Sequence, residues 1–405
     1  MRRWVRYPVA AIVTLHGLIQ LLGAASGLGS AELPGWTAPI GAPMGLLWLC
    51  GSLLTLATAS SMVLAVRGWW AVALAAAAVS QVLVISSWAD AAAGTVGSGV
   101  LLTAGIYGLF SQGPGGLRAE YRRRRDAAIR HAVALEPGAR PPVTEADLAD
   151  LPPQVATYLR RTGAVGRPRV TSLHATVSGR IRGGPAEPWM SFTGEQCNSF
   201  GAHCQRLFLI DATKAGLPVD VLHVFDGTGA SMRGRLCSLV PILDAEGAEL
   251  DRSESVTVFN DLCVLAPAGL VDAPVDWTEL DEHRVRGVFH GGLWDVTADL
   301  VFDDDGDLVD FRSADRSRFL GRHGGFVRLP WSTPVGGYRE VAGRRVATRG
   351  EGRWHAASPE GDFSYLEFRL DDISFEPAGL NGRTLHSAPT GVSTGDAGSA
   401  RTVRA

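Results

Sequence analysis

The sequence is poor in lysine and in cysteine. Lys214 is its single lysine, and five cysteines in 405 residues form no C-x-x-C pair. The dominance of arginine reads as a compositional bias of the genome and marks no site. The cysteine pattern argues against a structural metal, because Cys197, His203 and Cys204 fall at a spacing that fits no usual zinc ligand set. Cys50 sits in an apolar run, and Cys197, Cys204, Cys237 and Cys263 read as free thiols. No phosphate-cradling loop and no dinucleotide fingerprint occurs, so no cofactor is expected. A G-x-S-x-G string at Gly391–Gly395 has no strand before it, no helix after it and no downstream Asp or His, so it is a chance match. Asp303–Asp307 lacks the twelve-residue frame of a calcium loop and reads as a hairpin turn. The net charge of −3 gives the chain no polyanion-binding character, and nucleic acid is not an expected partner.

The most informative scarcity is of charge. Between Pro8 and Phe110 only Glu32, Arg67 and Asp90 are ionised, whereas charges recur every few residues from Arg118 onward. Spanning about 30 Å of hydrocarbon takes roughly 20 apolar residues, and four runs qualify: Pro8–Gly29, Met44–Val66, Trp70–Trp88 and Ala91–Phe110. Basic Arg2, Arg3 and Arg6 ahead of the first run imitate a secretory leader, but three further spans point to an uncleaved helix. Trp4, Tyr7, Trp69, Trp70 and Trp88 stand at span ends, where amphipathic rings suit the headgroup layer. Arg2, Arg3, Arg6, Arg67 and the run after the fourth span lie on one side. Glu32 and Asp90 lie on the other. The positive-inside rule then places both termini, and the soluble domain, in the cytosol of an inner-membrane protein.

Polar groups within spans are costly and count as functional candidates. His16 and Gln20 share one helix face and Gln81 lies mid-span; hydrogen bonding across the bundle is the simpler reading, against a quinone, proton or ligand site. Gly23 and Gly27 read as close helix packing.

Residues 113–143 form a basic linker. Its arginines, attracted to anionic lipid by about 1 kcal/mol each, predict a helix lying on the membrane. Short helices are expected near Thr144 and over Leu151–Arg161. The period then changes to two: Leu173, Ala175, Val177, Gly179 and Ile181 alternate with polar residues, as do Trp294, Val296, Ala298, Leu300 and Phe302. Further strands are expected at 207–210, 219–225, 230–236, 284–289, 308–313, 345–348 and 363–370. Ala248–Leu265 shows a 3.6-residue period and is predicted to be a helix. The pattern describes a four-helix transmembrane domain (1–112), then an α+β domain (144–380) with a curved, mostly antiparallel sheet and one helix against its face, then a disordered tail (381–405).

Aromatics gather in the C-terminal half among polar groups. Core packing accounts for them simply, but a concave apolar pocket with a few convergent polar groups is the form of a small-molecule site. The candidate ligand-binding residues are Glu254, Asp261, Trp277, His290, Trp294, Asp315, Arg316, Trp331 and Tyr338. If the protein is an enzyme, Glu254, His290 or Asp315 would supply the acid or base.

The run ESVTVFNDLCVLAPAGLVDAPVDW at 254–277, then DLVFDDDGDLVDFRSADR, LPWSTPVGGY and GEGRWH, resembles an uncharacterised family of bacterial membrane-associated proteins over residues 145 to 377. The domain is similar to the half-barrel of the outer-membrane lipoprotein carrier, and LHGLIQLLGA in the first span resembles four-helix modules of the DoxX type. The resemblance implies a curved sheet with an apolar concave face and, by analogy, a lipid or other apolar ligand. This sequence lacks the carriers' lipobox cysteine. Three readings compete: a binding module for a lipid or apolar small molecule at the cytoplasmic leaflet, an enzyme acting on a lipid-soluble substrate, and a scaffold recruiting a protein through a sheet edge.

Overall fold

The computed structural model describes residues 3–31, 36–37, 39–135, 141–201, 204–321 and 324–375. Glu32, His203, the Gly391–Gly395 string and the tail expected at 381–405 lie outside these residues.

Four helices are long and apolar enough to cross a membrane. They are α1 (Arg3–Gly27), α2 (Ala42–Val63), α3 (Trp69–Ser86) and, after the one-turn α4 (Trp88–Ala91), α5 (Gly94–Gln112). The chain is a membrane protein. Its spans are apolar on every side, as helices facing lipid and one another must be. Glycine lets them close up: a Cβ on Gly27 would stand 2.5 Å from Cα of Gly45, and one on Gly23 would enter the Trp48 ring. His16 Nε2 lies 2.8 Å from Ser80 Oγ, and Gln20 Nε2 donates to the same oxygen at 2.7 Å. Thr55 donates to Gln20 Oε1 at 3.1 Å and Ser98 Oγ lies 2.8 Å from Ser80 Oγ, so all four long helices share one polar knot. Gln81 is outside it, reaching only Thr95 at 3.4 Å.

Helix α6 (Leu117–Leu135) follows after four residues and packs one face against the sheet. Leu117 and Tyr121 are buried against Cys197, Leu207, Leu209, Leu222 and Val224 of the sheet. Arg118 Nη2 lies 2.7 Å from both Asp211 and Asp220, Arg124 pairs with Asp226, and Glu120 pairs with Arg233. Two of the linker's arginines are thus paired with carboxylates of the sheet.

After a 3₁₀ turn at Ala146–Leu148 and helix α7 (Pro153–Arg161), the chain enters the sheet. Its strands are β1 (Ser172–Ile181), β2 (Met190–Ser199), β3 (Gln205–Lys214), β4 (Leu217–Asp226), β5 (Gly229–Leu236), β6 (Val240–Glu246), β7 (Val275–Asp281), β8 (Arg284–Phe289), β9 (Val296–Phe302) and β10 (Leu308–Ser313). Short pieces follow: β11 (Ser317–Phe319), β12 (Phe326–Arg328), β13 (Trp331–Ser332), β14 (Val335–Gly336), β15 (Arg339–Val341) and β16 (Arg344–Val346). The long β17 (Arg349–His355) and β18 (Asp362–Ser374) close the domain. Fourteen strands make one curved antiparallel sheet in the order β6-β5-β4-β3-β2-β1-β18-β17-β13-β10-β9-β8-β7, with β14 beside β17. The pairs β11–β12 and β15–β16 are separate ribbons. The strand expected at 345–348 is therefore only the end of a ribbon, at residues 345–346, and the two residues after it belong to no strand. The Asp-Gly turn joins β9 to β10 as expected, with Gly306 at φ +85°. Asp307 there is held by Arg161 at 3.0 Å and Arg345 at 2.6 Å, which ties α7 to the sheet.

Helix α8 (Ala248–Leu265) leaves edge strand β6 and precedes β7 at the opposite edge, so it crosses the whole concave face. Every residue from Ser253 to Leu265 is buried. Its hydroxyls remain compatible with that burial by bonding one turn back: Ser253 to Glu249 O, Ser255 to Asp251 O and Thr257 to Ser253 O.

Candidate ligand cavity

A cavity of about 320 Å³ lies between α8 and the concave side of the sheet, within the size range of small-molecule sites. Apolar side chains of the sheet and its ribbons line it, among them Val177, Phe192, Phe208, Ile210, Met232 and Leu243 from five strands. Leu250, Val264 and Leu265 close it from the helix side. Glycine keeps parts of it open: Gly194 faces the Phe208 ring, and Gly352 faces the Tyr365 ring at 2.8 Å from where a Cβ would stand.

One wall carries a buried polar network. Arg206 on β3 reaches two carboxylates of α8, with Nε 2.7 Å from Asp261 Oδ2 and Nη1 3.0 Å from Glu254 Oε2. Gln196 and Asn198 of β2 donate to the same Asp261 oxygen at 2.6 and 2.9 Å, and His223 Nδ1 stands 3.4 Å from Glu254. Burial alone would push the Glu254 carboxyl up, but the Arg206 guanidinium, aided by His223, overrides it and holds the group at about 2. At Asp261 burial wins, and its carboxyl lies above the ordinary value despite Arg206 and Asn198. One cation faces two acids, and Glu254 has His223 and Arg316 beside it as well.

The opposite wall is aromatic and cationic. Arg316 stacks 4.2 Å from the Trp331 ring centre and donates from Nη1 to Tyr365 Oη at 3.0 Å. Trp354 stacks on Tyr365 at 5.6 Å. Arg182 and Arg318 approach the Phe363 ring at 6.0 and 5.0 Å.

Of the sequence-derived candidates, the cavity gathers Glu254, Asp261, Arg316 and Trp331. The others lie elsewhere. Trp277 packs on Phe259 at 6.3 Å as part of the core. His290 is on the surface between Asp276 and Asp295, whose carboxylates raise it above its ordinary value. Trp294 is 39% exposed under Arg252. Asp315 accepts from the Thr297 amide at 2.9 Å, and Tyr338 donates to Leu308 O at 2.8 Å; both are structural contacts. Glu254, His290 and Asp315 therefore do not converge, and Glu254 is ionised and already paired, which suits neither a general acid nor a base at neutral pH. Sequence reasoning missed Arg206, Gln196, Asn198 and Arg182. The available signal was polar residues at strand positions whose alternation points them inward.

These features define a class: a membrane-embedded helical bundle carrying a curved-sheet domain whose concave face, crossed by a helix, encloses a cavity. Residues 141–368 match the family of unknown function DUF6544, and the chain belongs to that family. No curated protein matches the sequence. Among solved structures, the chain is similar to a DUF1329 family protein from Desulfovibrio piger at 12% identity and TM-score 0.33, covering 56% of this chain and 93% of that one. It is similar to a putative outer membrane lipoprotein-sorting protein domain from Vibrio parahaemolyticus at 12% identity and TM-score 0.32, covering 52% and 87%. A beta-barrel-like DUF1849 protein from Brucella abortus matches at 8% identity and TM-score 0.19, over 51% and 98%.

Proposed function

We propose that the protein is a membrane-anchored binding module that holds a lipid or other apolar small molecule at the cytoplasmic leaflet of the inner membrane. The observation that carries this reading is the cavity, with apolar walls and a small number of placed polar groups. Two further features support it. Arginines at the N-terminus, at Arg67 and along α6 favour the cytoplasmic side for the domain. Exposed Leu217, Leu239, Val240 and Ile242 cluster at the sheet end nearest the fourth span, where Arg235 approaches Gly115 O at 3.5 Å. Such a rim suits the lipid interface.

The test is native mass spectrometry with lipid extraction on the full chain reconstituted in nanodiscs. A stoichiometric apolar adduct surviving release from the disc is the expected result. A bare mass from a folded chain, after incubation with lipid extract, overturns the reading.

A further inference from the structure

The two polar walls of the cavity differ in their charge balance. On the α8 side, Arg206 is matched by Glu254 and Asp261. On the aromatic side, Arg316 and Arg182 have no carboxylate within ion-pair distance among the described residues. Among the described residues the Arg316 side chain has Tyr365 Oη as its one hydrogen-bond partner, and its Nε is buried without any. Arg182 donates to two main-chain oxygens, Ser364 O at 2.9 Å and Pro185 O at 2.8 Å, and stacks 4.4 Å from Trp189. The acids nearby are already engaged: Glu254, whose carboxylate also feels the Arg316 charge, by Arg206 at 3.0 Å, Glu351 by Arg353 at 2.9 Å and Ser364 at 2.5 Å, and Glu360 by Arg318 at 2.8 Å.

Unpartnered polar atoms occur among the residues that line the cavity, on the aromatic side and on α8. Asn260 Nδ2, Trp331 Nε1 and Thr333 Oγ1 are buried with no hydrogen-bond partner, in addition to Arg316 Nε. Buried N–H groups left unmade are rare in folded proteins and each costs about 1–3 kcal/mol. A lining that offers donors and an unmatched cation asks for a ligand that accepts hydrogen bonds and carries negative charge.

We propose that the cavity takes a single-chain anionic amphiphile, whose oxyanion head sits against Arg316 and Arg182 while its chain lies along Phe192, Phe208, Met232 and Leu243. The inference rests on the reading of the cavity as a lipid site and adds the chemistry of the head. Size supports one chain, since 320 Å³ lies at the lower end of ligand sites. A carboxylate and a phosphate monoester share the required chemistry.

The full chain in phosphatidylcholine nanodiscs is incubated with an equimolar mixture of dodecanoic acid, dodecyl phosphate, dodecanol and methyl dodecanoate, and adducts are resolved by native mass spectrometry. The acid or the phosphate should exceed the alcohol and ester by about tenfold or more, and the one that dominates identifies the head. In the Arg316→Gln, Arg182→Gln double variant the preference should fall close to parity with alcohol binding retained, and Arg316→Lys should keep part of it. If Arg316→Gln does not fold, Arg182→Gln alone, which leaves the Trp331 stack intact, should lower the ratio in the same direction. Equal adducts of all four ligands in the wild type overturn the inference and leave the lipid site standing. An unchanged preference in the folded variants overturns the assignment to these arginines. Absence of every adduct overturns the binding reading itself.

Discussion

Arg206 and Glu254 form an ion pair at 3.0 Å in which the two side chains are only 7% and 3% exposed, and the same guanidinium also holds Asp261. Two acids, two turns apart on α8, are thus fastened to β3. Arg206→Met would leave both carboxylates buried without their cation, a loss of roughly 3–5 kcal/mol. Thermal unfolding of the reconstituted chain should show a large drop in Tm, and adding Glu254→Gln and Asp261→Asn should recover part of it.

The pH dependence follows from the directions at the two acids. Glu254 is held at about 2 against an ordinary 4.5, so its contribution is complete above 4.5 and is lost as pH falls toward 2. Asp261 is raised, so the folded chain keeps a proton that the unfolded chain has released, and stability from this group falls as pH rises through its folded value. Melting curves between pH 2 and 7 should show Glu254→Gln flattening the acid arm and Asp261→Asn flattening the opposite one. Identical profiles for both variants would contradict this assignment.

Arg118 bridges Asp211 and Asp220 and fixes the start of α6 to the sheet. In Arg118→Gln, amide hydrogen exchange across 117–135 should rise by about tenfold or more, as expected for losing charged hydrogen bonds, while α8 remains protected. No change in α6 would mean that Leu117, Tyr121 and the Glu120 and Arg124 ion pairs hold it without Arg118.

Leu243 lines the cavity from edge strand β6, where a larger ring can be accommodated with little disturbance to the core. Leu243→Trp should abolish the apolar adduct in native mass spectrometry at a stability cost of about 1–3 kcal/mol. A full adduct in this variant would place the ligand elsewhere.

Val240 and Ile242 are exposed at the membrane-proximal rim. Replacing both with Glu should leave Tm within a few degrees, because exposed positions contribute about ±0.5 kcal/mol, and should slow loading of fluorescent fatty acid from vesicles. Unaltered loading kinetics would remove the rim from the path.

The sequence is legible where burial is one-sided and apolar. β1 and β9 alternate plainly because one face meets the core, and α8 shows its helical period although it is buried all round. β2 carries Gln196 and Asn198 at inward positions, and β17 carries Gly350 and Gly352 under the Phe368 and Tyr365 rings, so neither reads as an alternating strand. The edge strands β6 and β7 are largely exposed and leave little apolar signature. Glu254 and Asp261 could be singled out as acids within an apolar helix, whereas Arg206 acquires meaning only when β3 is placed beneath that helix. The seat of α6 depends on carboxylates some hundred residues away, and no local pattern encodes such a pairing.

Only Gly113–Gly116 separates the fourth span from α6, and Arg118 is clamped to the sheet two residues later. Four extended residues cover about 14 Å at most. The domain therefore has no tether on which to travel, unlike a soluble carrier that diffuses between membranes. On the proposed reading, the ligand comes to a domain that stays where the bundle holds it, and the bilayer rather than the domain does the travelling.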